Sequence, residues 1–331
     1  MWRANGKYVL GRILHGIPII LAIVVVNFFL IRLAPGDAAQ VLAGEAGSAT
    51  EEYMAQIRAQ FGLDQPLWLQ FLNYMKNLLV FDLGYSFRHN REIASLIMER
   101  LGATAILMIT SMVLSIGFGI LLGAIAAIRD RTFVSHVIVI LAIITYATPL
   151  FWVGLMLIIV FALNLGWFPT SGMESIANPV TGLAWGLDVA HHLVLPAVAL
   201  SFFYMALYTR LMRASMLETL GQDFIKTAQA KGLGNSHIVM KHALRNAIIP
   251  VLTMAGVQVS GMLGGSVIIE SVFGWPGLGL LAYEALFARD LNLLLGIFFL
   301  SSILVVVTNA LVDVIYTMVD PRIRLTGGRH G

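Results

Sequence analysis

The sequence predicts an all-α polytopic membrane protein with six transmembrane helices, both termini in the cytoplasm and a helical external domain between spans one and two. Of 331 residues, 58% are apolar and only 12% are Asp, Glu, Lys or Arg, whereas a soluble domain carries about 25% charged residues. Six apolar stretches reach the ~20 residues that a bilayer crossing needs. Basic residues cluster in alternate loops. These observations exclude a soluble globular protein, a disordered chain and a coiled coil.

The six predicted spans each combine sufficient length with few charges. The first is expected to be a retained anchor and not a signal peptide, because Arg32 and Pro35 stand where a cleavage site needs small residues. Pro149 in span three and Pro196 in span four each remove a backbone hydrogen bond, so both helices should bend. The spans cover residues 10–31, 103–128, 134–165, 191–212, 248–270 and 291–318.

Loop charges predict the orientation of the spans. No Lys or Arg lies between Trp167 and His192, whereas the stretch from Arg210 to Arg245 holds six. Cytoplasmic loops are enriched in Lys and Arg, so the first loop is predicted to be external and the second cytoplasmic. We therefore divide the chain into a cytoplasmic N-terminus with the first helix (1–31), an external helical loop domain (32–100), a five-helix core (101–318) and a cytoplasmic tail (319–331).

The external domain contains two predicted helices. Residues 48–51 (Ser-Ala-Thr-Glu) form a capping box that begins a helix running to about Phe61. Asp64 is predicted to cap a second helix with Pro66 in its first turn. Two interpretations stay open: the domain packs as a lid over the external helix ends, or it is a docking surface for a partner outside the membrane. The apolar stripe of the second helix consists of Leu67, Phe71, Tyr74 and Leu78.

The loop between spans four and five isolates one short helix. Gly221 is predicted to end the preceding membrane helix as the first residue beyond it, in the position that favours positive φ. Asp223 is predicted to cap a helix over 224–231, and Gly232 to end it through a positive φ. Ser236 is predicted to cap the next helix. Eight residues are too few for a stable helix in water, so this chain or a partner must hold it.

Span five carries two rows of small residues. Gly256, Ser260 and Gly264 recur every four residues, as do Gly261 and Gly265. Small residues at this spacing let helices approach closely, and close packing is one interpretation. The other is that this helix lines a path for a polar substrate, which would hydrogen-bond to exposed backbone and to Gln258. The candidate path residues are Gln258, Ser260, Gly261, Met262 and Gly265.

Several kinds of chemistry have no support in the sequence. There is no Cys, the eight His form no H-E-x-x-H motif, and there is no G-x-x-x-x-G-K-[ST] motif to cradle ATP phosphates. The net charge of +3 comes without a long basic run, so nucleic acid is a poor candidate partner. We therefore predict a protein that is not an enzyme, with no catalytic residues, no metal ligands and no cofactor of its own.

The isolated loop helix resembles the cytoplasmic signature of type I ABC importer permeases, roughly E-A-A-x-x-x-G followed by a Leu-Pro-like pair. Residues 223–233 (DFIKTAQAKGL) and 242–250 (HALRNAIIP) are similar to the version found in the dipeptide, oligopeptide and nickel branch. The Lys-Thr-Ala at 226–228 stands where Glu-Ala-Ala would be, and the interval from Gly232 to Pro250 is longer than in the general motif. Both departures are usual in that branch.

Five further segments resemble the same branch and extend the resemblance over nearly the whole chain. The large first external loop is similar to that of the B-type permease subunit. The segments are residues 32–37 (RLAPGD), 61–66 (FGLDQP), 82–87 (DLGYSF), 273–279 (FGWPGLG) and 320–322 (DPR).

The resemblance implies a permease subunit of a binding-protein-dependent ABC importer for di- or oligopeptides, with nickel or another small solute left open. Transport would proceed by alternating access driven by ATP hydrolysis in partner subunits. The implied partners are a second homologous permease in a heterodimer, two ABC ATPase subunits that use ATP and Mg, and an external substrate-binding protein, at the bacterial cytoplasmic (inner) membrane. The implied coupling loop, 213–247, holds the ATPase-coupling residues Asp223, Phe224, Lys226, Thr227, Ala228, Lys231, Gly232 and Leu233.

The alternative function is an ATP-independent secondary transporter or channel. A proton-driven carrier needs titratable groups deep in the membrane. The spans hold few charges, and Glu270, near the outer end of span five, is expected to reach an interface. The scarcity of charge at depth therefore argues against this alternative.

Overall fold

The computed structural model describes residues 16–29, 50–60, 64–86, 88–176 and 179–319. Within these ranges the fold is predominantly helical, as predicted. Four of the described helices are long and apolar enough to cross a bilayer, and one sharply bent helix pair counts as a fifth if it forms a single span. The chain is therefore a multi-pass membrane protein.

The elements are numbered here in chain order. The helices are α1 (Gly16–Phe29), α2 (Glu51–Gln60), α3 (Leu67–Leu79), α4 (Ile93–Ile128), α5 (Phe133–Ala147), α6 (Leu150–Asn164), α7 (Leu183–Leu220), α8 (Asp223–Ala230), α9 (Asn235–Phe273), α10 (Leu278–Phe287) and α11 (Leu291–Val319). The end of α6 (Ile158–Asn164) and the segment Ile238–Ala243 near the start of α9 are π-helical. A two-stranded antiparallel hairpin that the sequence did not predict, β1 (Tyr85–Ser86) and β2 (Arg91–Glu92), precedes α4.

Most predicted spans coincide with single helices. Spans two, four, five and six fall on α4, α7, α9 and α11, each of which extends beyond the predicted bounds. The first predicted span, 10–31, contains α1, and its remaining residues lie outside the described ones. Pro196 lies inside α7, which continues through it as one helix of 38 residues.

The third predicted span is broken at its proline. Thr148 is extended, as expected of a residue before proline, and Pro149 is the N-cap of α6. The axes of α5 and α6 differ by 106°, which is a larger change than the predicted bend within one helix. Each helix covers 15 residues, or about 22 Å, so the pair extends about 27 Å end to end.

The chain divides into two compact units. The first comprises Met1–Gly102 and Leu280–Val307, and the second comprises Ala103–Gly279 and Thr308–Gly331. In the second unit, α4 packs closely on α7. A Cβ added at Gly123 would lie 2.5 Å from the Thr209 carbonyl oxygen, so only glycine permits this approach of the two backbones.

In the first unit, α3 packs on α1 through its predicted apolar stripe. The Phe28 ring lies 5.2 Å from the Phe71 ring and 5.6 Å from the Tyr74 ring, measured between centroids. Leu78 is buried, whereas Leu67 at the start of the stripe is 53% exposed. Most of the stripe therefore forms the core of this unit.

Both helices predicted for the external domain are present, but neither of their predicted caps is seen among the described residues. Helix α2 covers Glu51–Gln60, so it ends about where predicted but begins two residues later than a cap at Ser48 implies, and Ser48 itself lies outside the described residues. The prediction that Asp64 caps α3 is wrong. The N-cap is Pro66, whose extended backbone starts the helix without a side-chain hydrogen bond.

Candidate functional site

The short helix α8 lies between α7 and α9 in the second unit. Its N-cap is Gln222, which is extended and makes no side-chain capping bond. The predicted cap, Asp223, is instead the first helical residue. Its carboxylate accepts a hydrogen bond from Lys226 Nζ at 2.9 Å, and its carbonyl accepts one from Thr227 Oγ1 at 3.0 Å. An acidic residue in the first turn complements the helix dipole.

The end of α8 is closed by a glycine turn. Gly232 has φ +73°, so the predicted positive φ is confirmed. Its N–H donates to the Gln229 carbonyl at 2.9 Å, and the Leu233 N–H donates to the Ala228 carbonyl at 3.3 Å. These two bonds make a Schellman motif. Gly221 differs: α7 does end at Leu220, but Gly221 is right-handed with φ −79°, so the positive φ predicted there is wrong.

One face of α8 is held by the chain itself. Ile225 is 1% exposed and Ala228 is 6% exposed, and both belong to the large apolar cluster of the second unit. The same cluster includes Met216 near the end of α7 and Ile238 near the start of α9. The anchoring of α8 is therefore internal. The sequence prediction missed Ile225, although its spacing of three residues from Ala228 marks a common helix face.

The other face of α8 and the turn after it are exposed. Phe224 is 43% exposed and Leu233 is 38% exposed, while the side chain of Lys226 is 69% exposed. The remaining predicted coupling residues with exposed positions are Asp223, Thr227, Lys231 and Gly232, whereas Ala228 lies on the anchored face. This side of α8 and its turn therefore presents apolar and basic side chains that the chain itself leaves exposed.

The helix after the turn starts without the predicted cap. Its N-cap is Gly234, which makes no side-chain bond, and helix α9 begins at Asn235, so the prediction that Ser236 caps it is wrong. The π-helical segment Ile238–Ala243 follows, with Ile238, Val239 and Ala243 buried. Such π-helical turns are found frequently at functional sites.

The candidate path residues on α9 have different surroundings. Ser260 Oγ donates to Asn309 Oδ1 at 2.8 Å. A Cβ at Gly261 or Gly265 would lie 3.7 or 3.6 Å from the Tyr204 hydroxyl oxygen. Met262 is 1% exposed and packs in the apolar cluster, whereas Gln258 is half-buried. A role of these residues in a substrate path stays a prediction.

Glu270 does not reach an interface as expected, because it is fully buried within the second unit. Its carboxylate accepts hydrogen bonds from Thr104 Oγ1 at 2.8 Å and from the Gly279 N–H at 2.6 Å. The Leu278 N–H donates in turn to Thr104 Oγ1 at 2.8 Å. The turn of residues 274–279 therefore folds around one carboxylate. A buried carboxylate needs hydrogen-bond partners, and Thr104 and Gly279 donate hydrogen bonds to it.

The glycines of this turn explain its close fit. Gly274 ends α9 with φ +57°. A Cβ at Gly279 would lie 2.8 Å from Glu270 Oε2 and 2.5 Å from Val267 Cα, so a larger residue would displace the carboxylate. Trp275 is also fully buried and donates from Nε1 to the Ala103 carbonyl at 2.8 Å. Among the residues described, no group of three or more His, Asp or Glu side chains is placed to hold a metal ion.

Comparison with known proteins decides the family. The profile described as "Binding-protein-dependent transport system inner membrane component" matches residues 119–325. A second profile, "Binding-prot-dependent transport system membrane comp, N-term", matches residues 6–108. The chain belongs to this family. The resemblance of its motifs to type I ABC importer permeases is thereby confirmed.

Two relatives match almost end to end. The oligopeptide transport system permease protein AppB of Bacillus subtilis (strain 168) is 38% identical over 317 residues, which cover 96% of this chain and 98% of the relative. The dipeptide transport system permease protein DppB of Escherichia coli (strain K12) is 36% identical over 335 residues, with coverage of 96% and 98%.

A solved structure shares the fold of this chain. It is a chain of the MetNI methionine ABC transporter in an inward-facing conformation, with TM-score 0.54 and 17% identity. The match covers 69% of this chain and 97% of the solved one.

Proposed function

We propose that this chain is the permease subunit through which a binding-protein-dependent ABC importer moves di- or oligopeptides inward, and that α8 is its coupling helix. The observation that carries the proposal is the division of α8 into two faces. Ile225 and Ala228 fasten it to its own chain, while Phe224, Lys226 and Leu233 remain exposed. The peptide substrate is supported by the relatives, which are named as oligopeptide and dipeptide permeases.

The proposed topology has six spans with both termini in the cytoplasm of a bacterium, at its inner membrane. It is supported by the basic residues between Arg210 and Arg245. The bent pair α5 and α6 serves as the third span, since its length of about 27 Å approaches the ~30 Å of a hydrocarbon core. In this topology α8 lies on the cytoplasmic side, where ATP is available.

The proposed mechanism transmits movement and breaks no bonds in this chain. Two ABC ATPase subunits, which bind ATP and Mg, would move together on binding ATP and displace the exposed face of α8. The fixed ends of α8 and its buried Ile225 and Ala228 make it move as one body with the adjoining ends of α7 and α9. Transport is then an exchange between two packings whose populations the partners shift.

The remaining proposed partners follow from the same role. A second, homologous permease would complete the pathway as a heterodimer, and an external substrate-binding protein would deliver the peptide. The chain itself is proposed to bind no cofactor. Metal ions and nucleotides enter this account only through the ATPase subunits.

The test compares two glycine substitutions in the assembled transporter. Gly232→Val places a β-branched residue at φ +73°, where it is strained. Gly234→Val is the matched control, because Gly234 has φ −62° and nothing within 4 Å of an added Cβ. We expect Gly232→Val to lose peptide uptake and substrate-stimulated ATPase activity in vesicles, while Gly234→Val retains both.

Two outcomes contradict the proposal. The coupling assignment is wrong if the Gly232→Val transporter assembles normally and keeps wild-type uptake and stimulated ATPase activity. Uptake by ATP-depleted vesicles under an ion gradient would instead support a secondary transporter.

A further inference from the structure

One cation of the second unit lies inside a predicted span and is exposed on the surface of the unit. Arg210 is on α7, within the predicted span 191–212. The next basic residue on α7, Arg213, donates to Asp130 Oδ1 at 2.7 Å in the turn between α4 and α5. The proposed topology places that turn on the cytoplasmic side. Arg210 is therefore about one helical turn deeper in the membrane than an arginine that has a carboxylate partner.

The Arg210 side chain extends toward the middle of the membrane. Its Cζ lies 4.5 Å from the centroid of the Tyr146 ring, and that ring stacks on Phe203 with 4.9 Å between centroids. Phe203 precedes Arg210 by two turns of α7, which is about 10 Å along the helix axis. Long side chains of a helix point toward its N-terminus, which for α7 is the external end in the proposed topology. An arginine that reached the cytoplasmic headgroups would extend in the opposite direction.

The contact with Tyr146 does not neutralise the charge of Arg210. Among the described residues, the ion pairs do not include Arg210, whereas Arg213 and Asp130 form one. A cation above an aromatic ring is attracted by the negative face of the ring. The ring therefore fixes the position of the guanidinium, but it supplies no opposite charge.

The surface beside the two stacked rings is concave. A pocket of about 260 Å³ lies at the break between α5 and α6, and residues next to Tyr146 and Phe203 in the sequence contribute to it. Ligand sites in proteins are commonly concave and mostly apolar, with a few polar groups that orient the ligand. The lining includes Ile144, Thr145, Thr148, Trp152, Phe161 and Phe202.

An ionised side chain in a membrane span restricts what can surround it. Such residues almost always face the interior of the bundle or a water-filled cavity, and they mark the routes of ions and substrates. A guanidinium binds a carboxylate through two parallel hydrogen bonds. A linear peptide with a free C-terminus carries one such carboxylate whatever its sequence. An arginine on the route can therefore recognise peptides without selecting among their side chains.

We propose that Arg210 binds the C-terminal carboxylate of a peptide substrate as the peptide crosses the membrane. Tyr146 holds the guanidinium in position when no carboxylate is bound. This inference rests on the proposed function, which supplies both the peptide substrate and the orientation of α7. It adds a residue that recognises the substrate to the permease itself.

The test measures the uptake of one peptide in two forms, with a free C-terminal carboxylate and with a C-terminal amide. The complete transporter is placed in vesicles that contain ATP, and the same purified binding protein is supplied outside. We expect Arg210→Gln to lower the uptake rate of the free peptide at least about tenfold, and that of the amide less than about twofold. Any preference of the binding protein is the same for every variant, so it cancels when free-to-amide ratios are compared.

Two further variants serve as controls. Arg129→Gln removes the same charge from an exposed arginine in the turn between α4 and α5, outside the predicted spans. We expect it to leave both uptake rates unchanged. Arg210→Lys keeps the cation at the same position, and we expect it to keep the wild-type preference for the free carboxylate.

The outcomes separate this inference from the proposed function. Wild-type vesicles that contain ATP and take up neither form of the peptide overturn both. An assembled Arg210→Gln transporter with unchanged rates overturns the inference alone. Equal losses of both forms also overturn it, and would assign Arg210 to a contact with the second permease or with lipid. If Arg210→Gln does not assemble, Arg210→Lys decides: an assembled Arg210→Lys transporter whose free-to-amide ratio falls about tenfold contradicts the inference.

Discussion

Two turns in the second unit each follow a helix through a glycine with positive φ, but one turn is exposed and the other is buried. Gly232 after α8 and Gly274 after α9 both have left-handed φ, at +73° and +57°. Beyond Gly232 the chain is exposed through His237. Beyond Gly274 it folds around the buried carboxylate of Glu270. The turn after α8 is therefore exposed, whereas the turn after α9 packs around a buried side chain of its own chain.

The difference teaches that a positive-φ glycine specifies a turn but not its role. The role depends on where the neighbouring side chains find partners. Around α8, Ile225 and Ala228 supply the buried contacts, and the remaining side chains are exposed. Around Glu270, the Thr104 hydroxyl and the Gly279 N–H of the same unit donate hydrogen bonds to the carboxylate. Substitutions in the first turn should therefore affect coupling, and those in the second should affect folding.

We expect the largest loss of stability from a substitution of Glu270, around which the turn after α9 folds. Glu270→Ala leaves the Thr104 hydroxyl and the Gly279 N–H without their buried acceptor and opens a cavity, which should cost roughly 3–5 kcal/mol of stability. We expect a sharp loss of assembled transporter and a lower melting temperature in detergent. Glu218→Ala is the control, because Glu218 is exposed on α7. A Glu270→Ala protein as stable as the control would show that the carboxylate does not organise this turn.

A smaller effect is expected where α8 is fastened. Ile225→Ala removes a side chain that is 1% exposed and should cost roughly 2–4 kcal/mol, mostly by releasing α8. The neighbouring Phe224→Ala, at a residue 43% exposed, should change stability by less than about 0.5 kcal/mol. Limited proteolysis of the loop checks the pair. Equal protection of α8 in both variants would refute the two-faced description of this helix.

Local features of the sequence predicted local structure well. The bounds of α8 were predicted within one residue, and Gly232 has the predicted positive φ, because glycine adopts this conformation without steric cost and so commonly ends a helix. The predicted caps failed at Asp64, Asp223 and Ser236. In each case the residue at the N-cap is already extended, and the structure begins the helix there without a side-chain bond.

Features that depend on distant partners were not predictable from one sequence. Glu270 was expected at an interface, whereas it is a buried hydrogen-bond acceptor. This role depends on Thr104, which is 166 residues away in the sequence. The contact between the β1–β2 hairpin and the turn before α11 likewise depends on the hydrogen bond between Ser86 and Asp290, which are separated by 204 residues. Ile225 is a milder case, since its buried face becomes evident only when the adjoining ends of α7 and α9 are in place.

The central claim is that the exposed face of α8 contacts an ATPase subunit. The chain contains no Cys, so a single introduced thiol is unique within it. Lys226→Cys places a photo-activatable cross-linker on the exposed face, and Lys76→Cys places it on an exposed lysine position of α3, in the predicted external domain. We predict a covalent adduct with the ATPase subunit from Lys226→Cys and none from Lys76→Cys. An active, assembled transporter with no adduct at Lys226→Cys, or with equal adducts at both positions, would contradict the account.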